Sequence, residues 1–291
     1  MDVDNAIKSL IHLFVLIIGS VFNIYCFVSI LRSKVRRSKI WMYVIILNVT
    51  DTIAMYGYSI IIICHLNEFN ILNDIKALCR LVFLLTAFCG FVSIWVSATI
   101  GIERTLCIFF PIIHRVNCTS SITKTVLLII IILSLPYSVV ATIYVREDNV
   151  CFYKYKHLFY IDVTLQAILP AVIMGFCNIA IIYKLFHRPT SIGTNPSSKH
   201  AVKSLKLILV NNFIFIVTNV MALLISILSN EYDLLQSDHF VYYIIGTILN
   251  HFTNVFFYHK MAFQFRAMFK FEKRLKHLRT PSADALALSA Y

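Results

Sequence analysis

The stretch SIWVSATIGIERTLCIFFP, residues 93–111, sets an acid and a guanidinium side by side, Glu103 and Arg104, near the end of a long apolar run that Pro111 closes. Ionisable groups in an apolar setting are costly and by default mark function. Cys79 precedes Arg104 by 25 residues, about seven helical turns and close to one bilayer thickness. A single helix over this stretch puts Cys79 at one membrane face and Glu103–Arg104 at the other.

The rest of the chain agrees with a membrane setting. Of 291 residues, 59% are hydrophobic and 14% charged, and mean hydropathy is +0.79. A soluble domain is about 45–50% apolar and about 25% charged. Seven Gly and six Pro exclude a collagen-like or low-complexity chain, and no repeat recurs at the spacing of solenoids or propellers. A membrane helix needs roughly 20 apolar residues. Seven stretches qualify, at about 7–31, 40–65, 79–110, 122–145, 157–186, 203–229 and 239–261. None shows the alternation of a barrel strand. The first has Asp2 and Asp4 where a signal peptide has basic residues, so it is expected to remain as the first span.

Charge sets the orientation. The first, third and fifth connections and the C-terminal segment hold 20 of the 26 lysines and arginines, with RSKVRRSK (32–39) the densest run. The positive-inside rule puts these in the cytoplasm and the N-terminus outside. The net charge of +12 is then a membrane-boundary signal, and no nucleic-acid partner is expected. Ten acids fall outside or near the outer face against six bases. Avoidance of Lys and Arg there explains this, and it would also favour a cationic ligand.

The expected architecture is an all-α membrane protein, a seven-transmembrane helix bundle followed by a short amphipathic eighth helix, KMAFQFRAMFKFEKRLKHL (260–278), whose Phe and Met recur between basic residues. A basic tail without structure is the alternative. Residues 1–278, including the amphipathic helix, form one domain and 279–291 a short cytoplasmic tail. The connection HRPTSIGTNPSSKH (187–200) has loop composition.

The spans contain Asn23, Asp51, Ser93, Asp162, Gln166, Asn211, Asn212, Asn219, Asn250, His251 and Asn254. One intramembrane Asn is adequately explained by an interhelical hydrogen bond of roughly 1 kcal/mol. An Asp with several Asn on different helices asks for more. Asp162 lies eight residues before Pro170 with Gln166 one turn below. If buried, it can meet a guanidinium or amine; if the fifth span starts later, it is solvated.

Taken together, Glu103-Arg104-Thr105 with Pro111, GSVFN (19–23), LNVTD (47–51), Cys79, DNVCFY (148–153), Pro170 and NHFTNVFFY (250–258) resemble, in order and spacing, the motifs of rhodopsin-like (class A) G-protein-coupled receptors over nearly the whole chain. The resemblance implies a plasma-membrane, multi-pass receptor that takes an extracellular ligand and passes its signal to a heterotrimeric G protein. It implies that Glu103 holds Arg104 at the inner face until the sixth helix moves, with Asn254 and Tyr258 in the same switch. It implies a Cys79–Cys151 disulfide, and a sodium pocket of Asp51, Ser93, Asn250 and Asn254. A protonated Asp51 in a hydrogen-bond network is the alternative to sodium.

There are departures. The sixth-helix Cys-Trp-x-Pro region reads TNVM (218–221), placing Asn219 at the switch position, and Val255 replaces the seventh-helix proline. No Asp or Glu occurs from 163 to 230. These features are most similar to invertebrate FMRFamide-type neuropeptide receptors and related nematode chemoreceptors, and they suggest raised basal activity. Thr86 stands where amine receptors carry Asp, and Ile248 where opsins carry the retinal lysine. The resemblance thus implies a peptide ligand, with Thr86, Asp162, Gln166, Ser226 and Phe240 as pocket candidates. A chemosensory or weakly signalling receptor is the alternative. A transporter lacks support from inverted halves or paired broken helices. An enzyme is not expected, as HExxH and GxSxG are absent.

Overall fold

The computed structural model describes residues 3–32, 40–66, 76–110, 119–146, 152–153, 156–187, 206–207, 209–218, 220, 224, 247–251 and 253–254. The expected amphipathic helix 260–278 and tail 279–291 lie outside the described residues, as does the 187–200 connection except His187.

The first four spans are single helices: α1 Val3–Arg32, α2 Ile40–Leu66, α3 Lys76–Phe109 and α4 Ser120–Ile143. In lipid every backbone group must be paired within its own segment, which is why unbroken apolar runs become helices. Thr119 starts α4 from extended backbone (φ −82°, ψ 164°), its hydroxyl accepting from Ile122 N–H at 3.4 Å. Between the fourth and fifth spans, β1 Val145–Arg146 pairs antiparallel with β2 Phe152–Tyr153.

The fifth span is interrupted. Helix α5 Lys156–Val163 passes into a π-helical turn, Thr164–Ile168, and then into α6 Leu169–Phe186. The Leu169 N–H reaches back five residues to Thr164 O. Pro170 explains this. Its ring would press on the carbonyl four residues earlier, that of Gln166, and it offers no N–H. The wider turn gives that carbonyl room.

Five helices among the described residues are long and apolar enough to cross a membrane, and Leu209–Thr218 adds a shorter apolar helix in the sixth span. The helical residues 247–251 and 253–254 fall in the seventh. The helix containing Glu103 and Arg104 is the central one. Two thirds (67%) of its most apolar window is buried, against 28% for α4, which runs at the edge. On α1, Leu10, Phe14, Val21 and Ile24 are exposed, while His12, Leu16, Asn23, Cys26 and Ile30 face inward. The latter recur at three- and four-residue steps, the pattern of one helix face. The main apolar cluster joins Ile30, Tyr43, Leu47, Val96, Ile100, Leu127 and Ile181 from five spans.

Lipid tails are as apolar as leucine, so close approach and hydrogen bonds hold the helices together. Asn48 Nδ2 donates to Asn23 O and Asn23 Nδ2 to Thr52 Oγ1, each at 3.1 Å, tying α1 to α2. Gly57 lets α2 lie directly on α3: a Cβ there would land on Thr86 Oγ1. Gly57→Ala is therefore expected to destabilise the purified protein by about 1–3 kcal/mol. Adding Thr86→Ala should recover most of the loss, giving strong coupling in a double-mutant cycle of thermal unfolding. Additive effects would contradict this packing.

Candidate functional site

Polar side chains meet at three levels along α3. At the inner end, Arg104 is buried (7% exposed). Its neighbour Glu103 accepts a hydrogen bond from Tyr43 Oη of α2 at 3.2 Å. Thr105 returns its hydroxyl to Gly101 O at 3.0 Å. Tyr258, expected in the same switch, lies outside the described residues. Asn254 is buried, and its Oδ1 accepts from Asn211 Nδ2 at 3.4 Å. Asn212 Nδ2 donates to Asn178 Oδ1 at 2.9 Å, linking the sixth span to the fifth.

At mid-membrane, Asp51 is fully buried. Ser93 Oγ of α3 donates to its Oδ1, so these two expected partners do meet. The seventh span offers Asp51 a different residue from the expected asparagines. His251 Nδ1 lies 2.5 Å from Asp51 Oδ1, with Ser93 Oγ 3.4 Å from the same nitrogen. The ring of Tyr58 stacks on His251, centroids 6.1 Å apart. Asn250 is buried beside it, its Oδ1 without a hydrogen-bond partner among the described residues. His251 was visible in the sequence as a polar residue of the seventh span, but nothing local assigns its partner 200 positions away.

Towards the outer end, Asp162 is buried at 8% exposure, which decides between the two readings left open by the sequence. Tyr137 Oη and Gln166 Nε2 both donate to Asp162 Oδ1, and Gln166 Nε2 also reaches Tyr137 Oη at 2.5 Å. The π turn sits here: Gln166 is its third residue. Tyr137, one residue after Pro136, was not singled out from sequence, where a Tyr in an apolar run reads as packing. Its ring does pack, 4.6 Å from Phe91.

Thr86 is placed differently from the other pocket candidates. It is buried against Gly57 and its hydroxyl donates to Val82 O of its own helix at 2.7 Å, so packing with α2 accounts for it. Ser226 and Phe240 lie outside the described residues, as do Asn219 and Val255. Cys79 is buried and disulfide-bonded; its expected partner Cys151 is likewise outside. Cys26, Cys89, Cys107 and Cys177 are free thiols.

A central helix with an inner Glu-Arg pair, a serine that meets the mid-membrane Asp of its neighbour and an outer disulfide-bonded cysteine describes a signalling receptor of the seven-helix class. The chain matches the family described as 7 transmembrane receptor (rhodopsin family) over residues 22–258, and it belongs to that family. No curated protein sequence matches it. It is thus a multi-pass membrane protein and a G-protein-coupled receptor, of a family that signals and does not catalyse.

The outer group can be tested by itself. Tyr137→Phe keeps the ring on Phe91 and removes only the hydroxyl that Asp162 and Gln166 share. The expected cost is about 1–3 kcal/mol, read as a lower melting temperature of the purified receptor. An unchanged melting temperature would show that the hydroxyl contributes no net stability.

Proposed function

We propose that this receptor reads an extracellular peptide at the plasma membrane, and that a basic group of the peptide meets Asp162. One observation carries this reading: Asp162 is a buried acid whose hydrogen-bond partners among the described residues, Tyr137 and Gln166, are both neutral. A carboxylate out of water with only neutral partners is incompletely compensated. A guanidinium or amine brought by a ligand supplies the missing charge in a bidentate or charge-assisted hydrogen bond. The acid-rich outer side favours the approach of a cation. The resemblance of NHFTN and TNVM to FMRFamide-type receptors points to the same class of ligand, an amidated neuropeptide containing arginine.

On this reading Arg104 is the output. It waits in the bundle beside Glu103, which Tyr43 holds, and meets the heterotrimeric G protein when the sixth span moves away. A chemosensory or weakly signalling receptor is the second reading, favoured by Asn219 standing where the family has its sixth-helix tryptophan.

The test is G-protein activation by wild type, Arg104→Ala and Asp162→Asn at equal surface level, screened against amidated, arginine-containing peptides. The wild type should respond. Arg104→Ala should bind peptide but lose output, and Asp162→Asn should need on the order of 10–100 times more peptide, the weight of one buried charge pair. Equal potency on Asp162→Asn would remove Asp162 from the ligand site, and a silent wild type would favour the second reading.

A further inference from the structure

A small hard cation such as sodium takes oxygen ligands and a net negative site. The mid-membrane group of this receptor puts a ring nitrogen at the oxygen that matters. Asp51 Oδ1 already receives two neighbours: the Ser93 hydroxyl and, at 2.5 Å, the Nδ1 of His251. That distance is about the length of a metal–oxygen bond, so the ring nitrogen stands where an ion on Oδ1 would stand. Imidazole nitrogen suits zinc, copper or iron far better than hard alkali or alkaline-earth ions. Oxygen acceptors do remain nearby. Asp51 Oδ2 and Asn250 Oδ1 are buried without a hydrogen-bond partner among the described residues. The obstacle to a cation is therefore the occupancy of Oδ1, not a shortage of oxygen.

We infer that His251 fills the place of a sodium ion at Asp51, so that this receptor does not bind sodium at mid-membrane. A buried carboxylate demands a cation or a proton. The imidazole takes that position at Oδ1, with a proton shared between Nδ1 and Oδ1. The packing fixes the ring for this task. Tyr58 stacks on one side with an interplanar angle of 25°, and Ser93 Oγ sits within 3.4 Å of the same Nδ1. Both Asp51 and His251 are fully buried, so water does not screen the contact. A sodium ion entering beside Oδ2 meets a carboxylate whose other oxygen is already taken by Ser93 and His251 and would have to leave its hydration shell for it.

The inference does not depend on the nature of the ligand, and its test needs none. The full-length receptor is purified in detergent and its melting temperature measured in sodium chloride and in N-methyl-D-glucamine chloride at equal ionic strength. Wild type should melt at the same temperature in both. In His251→Asn, the ring is gone and an oxygen-rich site around the Asp51 carboxyl is left. This variant should melt lower in N-methyl-D-glucamine and recover with sodium, by on the order of 3 °C. His251→Gln serves if the first variant does not fold. Asp51→Asn added to either should abolish the sodium response. A sodium-specific rise in wild type overturns the proposal, whatever the variants do. So does a folded His251→Asn protein as indifferent to sodium as wild type, because the ring at residue 251 would then not be what keeps sodium out.

Discussion

A carboxylate withdrawn from water into the middle of a bilayer is the constraint around which this bundle is arranged. Asp51 on α2 cannot stay there alone. It draws Ser93 from α3 and His251 from the seventh span onto one oxygen, and three helices thereby lose their freedom to rotate or slide past one another. Tyr58, about two turns further along α2, stacks on the histidine ring. Hydrophobicity cannot choose this register, because lipid and leucine are equally apolar to a helix. Elsewhere in the spans hydroxyls are mostly neutralised locally. Thr50, Thr52, Ser59, Thr86, Thr99 and Thr142 each return theirs to the carbonyl four residues earlier. Of these, only Thr52, which also accepts from Asn23, makes a polar link to another helix among the described residues; Asp51 joins three.

Helix α3 passes the constraint in both directions. One turn from Ser93 is Gly90, where a Cβ would lie 3.4 Å from Gln166 Oε1 and 3.5 Å from Tyr58 Oη. Gln166 belongs to the Asp162 group and Tyr58 to the Asp51 group. Members of the two buried-acid groups, on spans two and five, thus both approach α3 at Gly90. The π turn contributes to this arrangement. The room it makes for Pro170 turns the segment that carries Gln166 towards α3, and a regular helix would set the residues before the proline at a different angle from those after it.

Much of the frame was legible in the sequence because it rests on local quantities. The ends of the first five spans fall close to the limits of the apolar runs, and Glu103–Arg104 marks the inner end of α3 as its distance from Cys79 requires. What was not legible depends on partners far away in the chain. Hydropathy cannot register one extra residue in a helical turn, so the π turn at 164–168 was missed although Pro170, its cause, was noted. Asn250 and Asn254 were assigned to Asp51 by family resemblance; the structure turns His251 to that oxygen, and Asn254 faces Asn211 instead. Tyr43 and Tyr137 each give a hydroxyl to a buried or half-buried acid, yet in an apolar run a tyrosine looks like any aromatic. Thr86 occupies a position that reads as a pocket wall, and the absence of a side chain at Gly57 converts it into a packing contact.

The sixth span is attached by a different kind of bond. Asn212 meets Asn178 at 2.9 Å, and Asn211 meets Asn254 at 3.4 Å. These are amide pairs, and the sequence places no acid between 163 and 230 with which Arg104 could bind that helix. Neutral interhelical hydrogen bonds in membranes are worth roughly 0.6–2 kcal/mol each, whereas breaking a buried charged pair by removing one partner costs about 3–5 kcal/mol. Among the described polar contacts, those at Asp51, where spans two, three and seven meet, are therefore the stronger, and those of span six with spans five and seven the weaker. At that second junction Asn212 Nδ2 lies 3.7 Å from where a Cβ on Gly101 would stand, and Phe215 of the same span packs with Ile94, Ala98 and Met174. The described polar links of span six are thus amide pairs beside an apolar contact, whereas those that align spans two, three and seven converge on one carboxylate.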